Sequence, residues 1–254
     1  MDNGKVYLVG AGPGNPDLMT LKAVKTLKRA DVVIYDSLVT KDVMENVPSS
    51  AKKIFVGKRP GSHTMPQNEI NRIMIEKARE GKTVVRLKGG DPFLFGRGGE
   101  ETQDLRKQGI KFEIVPGVTS ALAAPAYAGI PVTHRAYASS VAIVTGHEDP
   151  HRKEARVNWS RLATAVDTIV VLMGVEKLAG IVEELIKGGR KPKTKVAIIE
   201  WGTTKRQKVV IGVLGDIVGK AVEHRVKSPA VVVIGDVVGL QDELSWFRRS
   251  GVGS

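Results

Sequence analysis

Cysteine is absent from the 254 residues. Disulfides, thiolate nucleophiles and zinc–thiolate sites are therefore excluded. The five histidines are scattered without any short ligand spacing, so no metal is expected. Aromatic residues make up only 5% of the chain. With no module signature beside them, they offer no stacking platform for nucleic acid. No apolar run approaches the ~18 residues of a membrane span. The longest, such as 169–173, have the length of a buried strand. The opening MDNGKVYLVG has no basic-then-apolar leader, so the expectation is a cytoplasmic protein with neither membrane nor nucleic acid as partner.

What is present suits one large domain or two modest ones, since 42% of residues are apolar. The net charge is +12, split evenly at +6 for residues 1–127 and +6 for the rest. That evenness argues against a basic arm and for a diffuse field that could steer a polyanionic ligand.

Short β-rich runs at 5–9, 32–35, 53–56, 83–87 and 112–115 alternate with helical patterns. A helix is expected over 20–29, with Thr20 as its N-cap, and another over 66–80 with Ile70, Ile73, Met74 and Ala78 on one face. This βα alternation predicts a mostly parallel N-terminal sheet. The texture changes to small residues and prolines at 116–133, which suggests domains at 1–116 and 117–254. A second set of strands at 141–145, 168–173, 196–200, 209–211 and 230–234 is more tightly spaced, so the C-terminal sheet is expected to be mixed.

The richest segment is VVRLKGGDPFLFGRGGEE at 84–101. Five glycines there would cost up to ~1 kcal/mol each inside a regular element. They suit a turn where backbone approaches a ligand at the carboxyl end of a strand. VGAGPGNPD at 9–17 hints at a dinucleotide fingerprint, with Asp36 placed like a ribose-binding acid. Its glycines are misordered, however, and Pro13 and Pro16 push the helix back to about Thr20, too late to hold a pyrophosphate. An adenosyl ligand, a structural turn, and a nicotinamide or flavin oxidoreductase are the readings of this segment. Asp36 could be a general base or a turn residue. Lys58, Arg59 and His63 crowd a Gly/Pro loop, suited to an anion or acid/base role or to plain surface charge. Thr119 and Ser120 open a small-residue helix, and the charged stretch at 148–168 is a lid or a surface segment.

VGAGPGNPDLMTLKA, VIYDSLV, VGKRPGSHTMPQNEIN, RLKGGDPFLFGRGGEE, VPGVTSALAAPAYAGIPVTHR, VTGH, LMG, EWGTTKRQ and SPAVVVIG occur in this order over residues 5–247. Together they resemble the tetrapyrrole methylases, and within them the branch that converts uroporphyrinogen III to precorrin-2. Another corrin-pathway methylase of the same fold is the alternative. The resemblance implies a two-domain α/β fold with an interdomain active site, S-adenosyl-L-methionine as cofactor, S-adenosyl-L-homocysteine as product and a homodimer. It implies two successive methyl transfers, to rings A and B, feeding siroheme and cobalamin biosynthesis. It also implies Asp36 as proton acceptor and Lys58 as proton donor. Cofactor contacts would be Pro13, Gly89, Gly90, Asp91, Leu94, Thr119, Ser120, Met173, Gly202 and Ala230. The substrate's eight carboxylates would be gripped by some of Arg59, His63, Arg86, Arg97, His134 and Arg135, arginine being favoured for its bidentate fork.

Overall fold

The computed structural model describes residues 4–57, 65–147 and 156–247. The chain divides into two compact units, Met1–Thr119 and Ser120–Ser254.

In the first unit, strands β1 (Lys5–Gly10), β2 (Val32–Tyr35), β3 (Lys52–Phe55), β4 (Thr83–Lys88) and β5 (Lys111–Val115) form one sheet in the order β3-β2-β4-β1-β5. Every pairing in it is parallel. Helices α1 (Leu21–Leu27), α2 (Lys41–Met44), α3 (Gln67–Arg79) and α4 (Gly98–Lys107) supply the crossovers. Both faces carry helices, so the inner strands β1, β2 and β4 are mostly buried, while the edge strands β3 and β5 begin exposed. Alternation along each strand divides the core. Val9, Val33, Val85 and Leu87 pack with Ala23 and Leu27 of α1 and Val43 of α2. Val6, Leu8, Ile34 and Val84 pack with Ile70, Met74 and Ala78 of α3 and Leu105 of α4. Thr20 caps α1 as expected, its Oγ1 accepting from the Ala23 N–H at 3.1 Å. On α3 the apolar stripe is Ile70, Met74 and Ala78, with Asn71 buried beside it and Ile73 only half-buried.

In the second unit, β6 (Val141–Thr145), β7 (Thr168–Leu172), β8 (Lys195–Glu200), β9 (Lys208–Val213) and β10 (Ala230–Ile234) are ordered β6-β7-β10-β8-β9. Only β6 and β7 run parallel, and β10 is antiparallel to both of its neighbours. This is the mixed sheet that the spacing predicts. Helices α5 (Ser120–Tyr127), α6 (Trp159–Ala165), α7 (Leu178–Lys187), α8 (Ile217–Glu223) and α9 (Gln241–Leu244) complete the unit. Leu178, Ile181, Val182 and Leu185 of α7 pack with Ala163 of α6 and Ile217 of α8 over Ile169, Val171, Ile198 and Val232. Of the charged stretch at 148–168, residues 148–155 lie outside the described residues and 159–165 form α6. Among the described residues, no helix is long and apolar enough to cross a membrane.

The carboxyl ends of β1, β4 and β5 meet backbone to backbone. A Cβ on Gly10 would stand 2.5 Å from the Gly117 Cα and 2.6 Å from the Gly90 carbonyl oxygen. Gly117→Ala should therefore destabilise the chain by about 1–3 kcal/mol through forced backbone shifts. Gly99→Ala, whose Cβ meets nothing within 4 Å, should be neutral or stabilising by up to ~1 kcal/mol. Urea denaturation of the two variants checks this, and a neutral Gly117→Ala would contradict the close approach.

Candidate active site

Strand β1 leads toward β2 on one side of the sheet while β4 leads toward β5 on the other. Their carboxyl ends thus form the switch point where open α/β sheets bind ligands. The two loops are tied together there. Gly12 N–H donates to the Gly90 carbonyl at 3.2 Å, and Gly90 N–H to the Gly12 carbonyl at 2.8 Å. Asp91 closes the turn, its Oδ1 accepting from Phe93 N–H at 2.8 Å and its Oδ2 from Gly117 N–H at 3.0 Å. A Cβ on Gly89 would lie 2.7 Å from the Leu38 Cβ, so the β2 and β4 loops also touch. Phe95 and Arg97 hold positive φ of 53° and 58°, a strain of about 1–3 kcal/mol each that tends to gather at functional turns. Leu38, Phe93 and Phe95 are exposed. Between β1 and α1, Asn15 caps a short turn at Pro16–Leu18 and the helix starts only at Leu21. No helix N-terminus stands at the glycines to hold a pyrophosphate, which removes the structural basis of the dinucleotide reading.

Beneath this rim lies a buried ion cluster. Positions 84, 86 and 88 of β4 all face α3 and α4, so Arg86 and Lys88 stand in a largely apolar layer. Glu101 of α4 answers them: its Oε1 accepts from Arg86 Nε at 3.2 Å, Lys88 Nζ at 3.1 Å and Gln67 Nε2 at 2.9 Å. Glu101 is 0% exposed and Arg86 3%. Arg86 Nη1 donates to the carbonyls of Ile34 and Leu87, while Nη2 stands 3.6 Å from Asp36 Oδ2. Asp36 Oδ1 accepts from Leu38 N–H at 3.1 Å. Arg86 was expected to grip substrate, yet its guanidinium is spent inside the protein because strand alternation turns it into the core. Burial, and then the Arg86 cation, hold the Lys88 ammonium below its ordinary 10.5, with Glu101 opposing both. Gln67, Lys88 and Glu101 escaped the sequence reading. The signal available was the parity of β4, which places two cations on the buried face.

In the second unit, antiparallel β10 brings its amino end to the carboxyl ends of β7 and β8. Leu172 pairs with Val231, and Glu200 with Ala230. Met173, Gly202 and Ala230 are thereby gathered at one end of the sheet. Trp201 N–H donates to the Pro229 carbonyl at 3.0 Å. Gly202 packs on Ala124 of α5, the helix that begins at Ser120. Met173, Trp201 and Thr203 have φ of 54°, 49° and 69°. Gln207 holds this strained loop, its Oε1 accepting from Thr203 N–H at 2.8 Å while its Nε2 donates to the Tyr127 carbonyl at 3.0 Å.

The remaining expected residues are placed as follows. Pro13 follows the Gly12 bridge in the β1 loop, Leu94 is half-buried in the β4 loop, and Thr119 is the last residue of the first unit. Arg97 is exposed and forms an ion pair with Glu100 at 2.6 Å. His134 Nδ1 accepts from Ala136 N–H at 3.1 Å and its ring leans on Tyr137, while Arg135 is exposed. Lys58, Arg59 and His63 lie outside the described residues. Among the described residues no cluster of His, Asp or Glu could hold a metal ion.

A model of the family Tetrapyrrole (Corrin/Porphyrin) Methylases matches residues 5–218. The chain belongs to the tetrapyrrole methylases. It is 55% identical over 249 residues to an S-adenosyl-L-methionine-dependent uroporphyrinogen III methyltransferase of Methanosarcina barkeri, covering 98% of this chain and 97% of that one. It is 54% identical over 240 residues to the uroporphyrinogen-III C-methyltransferase of Methanocaldococcus jannaschii, covering 94% and 98%. The uroporphyrin-III C-methyltransferase of Thermus thermophilus, solved with S-adenyl homocysteine, aligns with a TM-score of 0.79 at 42% identity, over 92% of this chain and 93% of that chain.

For a tetrapyrrole methylase, the donor set at these turns fits an S-adenosyl group. The Gly89–Gly90–Asp91 turn offers backbone and a carboxylate, and the cation that precedes it, Lys88, is turned inward onto Glu101. Such a turn accepts a cationic sulfonium or ammonium and repels a polyphosphate. Exposed Leu38, Phe93 and Met173 supply apolar surface in their respective units. The Lys88 shift has a checkable sign. The folded chain releases this proton at lower pH than the unfolded chain, so stability rises with pH between the lowered value and 10.5. Urea titrations in that window should show the parent chain gaining on Lys88→Met. A loss relative to the variant would mean that Glu101 outweighs burial.

Proposed function

We infer that the chain is an S-adenosyl-L-methionine-dependent uroporphyrinogen III C-methyltransferase. It adds one methyl group to a carbon on each of rings A and B, forming precorrin-2 and two S-adenosyl-L-homocysteine. The observation that carries this is the 55% identity to the Methanosarcina barkeri enzyme over 98% of this chain.

When bound, S-adenosyl-L-methionine supplies an electrophilic methyl group on a sulfonium. The protein's part is to fix the acceptor carbon in line, exclude water and handle a proton. The acceptor is an electron-rich pyrrole carbon, so a new C–C bond forms from ring electrons and leaves positive charge on the macrocycle. That charge is discharged by loss of a proton. Asp36 is the base in this proposal, supported by its place at the carboxyl end of β2, where it is partly exposed and held from the protein side by Leu38 N–H and Arg86. Lys58 is assigned the complementary proton donation on the family resemblance. Pro13, Gly89, Gly90, Asp91, Leu94 and Thr119 from the first unit, and Ser120, Met173, Gly202 and Ala230 from the second, are proposed to hold the cofactor. Asp91 would do so chiefly through backbone, since both its oxygens already accept hydrogen bonds. Arg97 and Arg135, exposed in their units, suit the substrate carboxylates better than Arg86 does, with Arg59, His63 and His134 retained as further clamps. A homodimer and a cytoplasmic setting belong to the same proposal, with sedimentation and cell fractionation as their checks.

Anaerobic incubation with uroporphyrinogen III and S-adenosyl-L-methionine should yield a tetrapyrrole heavier by two methyl groups. Asp36→Asn should slow turnover roughly 100-fold or more while still binding S-adenosyl-L-homocysteine. Absence of methyl gain would overturn the substrate, and an undiminished Asp36→Asn would overturn the base.

A further inference from the structure

The ion cluster under β4 is larger than stability requires. Two cations and an anion in an apolar layer are costly to desolvate, and a well-packed apolar replacement is often as stable. The layer that receives them also holds Val84, Ile34, Met74 and Leu105, with Asn71 of α3 buried alongside and hydrogen-bonded to Gln67 and Asp104. The cluster also has a direction. Glu101 gathers Arg86, Lys88 and Gln67 onto one carboxylate oxygen, Oε1. Its Oε2 is buried and has no hydrogen-bond partner among the described residues. From the Glu101 contact the guanidinium of Arg86 runs toward the rim. Its Nη1 is fixed by the Ile34 and Leu87 carbonyls, and Nη2 is left facing Asp36. Nε and Nη1 of Arg86 are thus held from inside, and Nη2 stands 3.6 Å from the Asp36 oxygen that Leu38 does not hold.

We propose that Glu101 is a positioning residue for methyl transfer: through Arg86 it fixes the orientation of the Asp36 carboxylate, and it touches neither substrate nor cofactor. Arg86 is then an internal strut, not a carboxylate clamp. Its planar fork can engage Glu101 through Nε and Asp36 through Nη2 together, which a lysine ammonium cannot do. Lys88 supplies the second cation on the same Glu101 oxygen and keeps that carboxylate turned inward. The proposal rests on the reading of Asp36 as the base, and its test separates the two.

The test is steady-state methylation of uroporphyrinogen III by Glu101→Gln, Glu101→Asp and Arg86→Met, each also built on Asp36→Asn. Calorimetric binding of S-adenosyl-L-homocysteine serves as the check of folding. Glu101→Gln and Arg86→Met should lower kcat by roughly 10- to 100-fold through misplacement of the base. KM for the tetrapyrrole should stay within about threefold, because no substrate contact is removed. Glu101→Asp, which keeps the charge, should recover part of the loss. On Asp36→Asn the same substitutions should cost nothing further, since residues acting through one another are not additive. Equal losses in both backgrounds, or a raised KM with unchanged kcat, would overturn the proposal. So would Glu101→Asp behaving no better than Glu101→Gln. If residual turnover on Asp36→Asn is too slow to measure, the kcat–KM split and the Glu101→Asp recovery decide. If Glu101→Gln fails to bind S-adenosyl-L-homocysteine, Arg86→Met carries the comparison. An Asp36→Asn variant of full activity would overturn the base assignment instead.

Discussion

Three backbones meet where β1, β4 and β5 end, and they can meet only because positions 10 and 117 are glycine. Any side chain at Gly10 or Gly117 would enter the neighbouring main chain. From that contact follow the paired amides and carbonyls of Gly12 and Gly90, the Asp91 turn that reaches Gly117, and the loop that carries Phe93 to Arg97 outward. The turn is held by backbone and by one carboxylate. Among the described residues, the cation next to the Gly89–Gly90–Asp91 turn, Lys88, is turned inward onto Glu101, and this separates the turn from the phosphate-binding turns its glycines superficially resemble. A sulfonium ligand needs such a surface: close, polar through its backbone, and without competing positive charge.

The second organising element is electrostatic. Glu101, Arg86 and Lys88 form a buried cluster that runs from α4 through the central strand to the rim at Asp36. The arrangement links the core to the candidate base by a short path of fixed geometry. The second unit shows the same economy in neutral form, where Gln207 ties the strained Trp201–Gly202–Thr203 loop to the end of α5. In both units a buried polar side chain restrains a loop at the end of the sheet.

Much of this was legible in the chain. The strand expectations fall within a residue or two of the observed ends, because fully buried strands are unbroken β-branched runs flanked by glycine or charge. The mixed character of the second sheet followed from spacing too short for helical crossovers at each step. Helix α4 was harder to see: it begins with two glycines, and of its ten residues Gly98, Glu101, Thr102 and Leu105 are the buried ones, so its inward face carries little apolar signal. The same feature hid Glu101, since one of three acids on a polar helix reads as a solvated residue. Arg86 was misplaced for a related reason. A basic residue in a ligand-rich segment invites a clamp role, but the period of two along β4 puts 86 on the same face as 84 and 88, under α3 and α4. Lys58, Arg59 and His63 lie outside the described residues, so their expected roles stand on the sequence and the family resemblance.

The most direct test of the account is a crystal structure of the chain with S-adenosyl-L-homocysteine. The ligand is expected against the Gly89–Gly90–Asp91 turn, with its sulfur on the side of Asp36. A ligand bound away from that turn, or one whose carboxylate is held by Arg86, would contradict it.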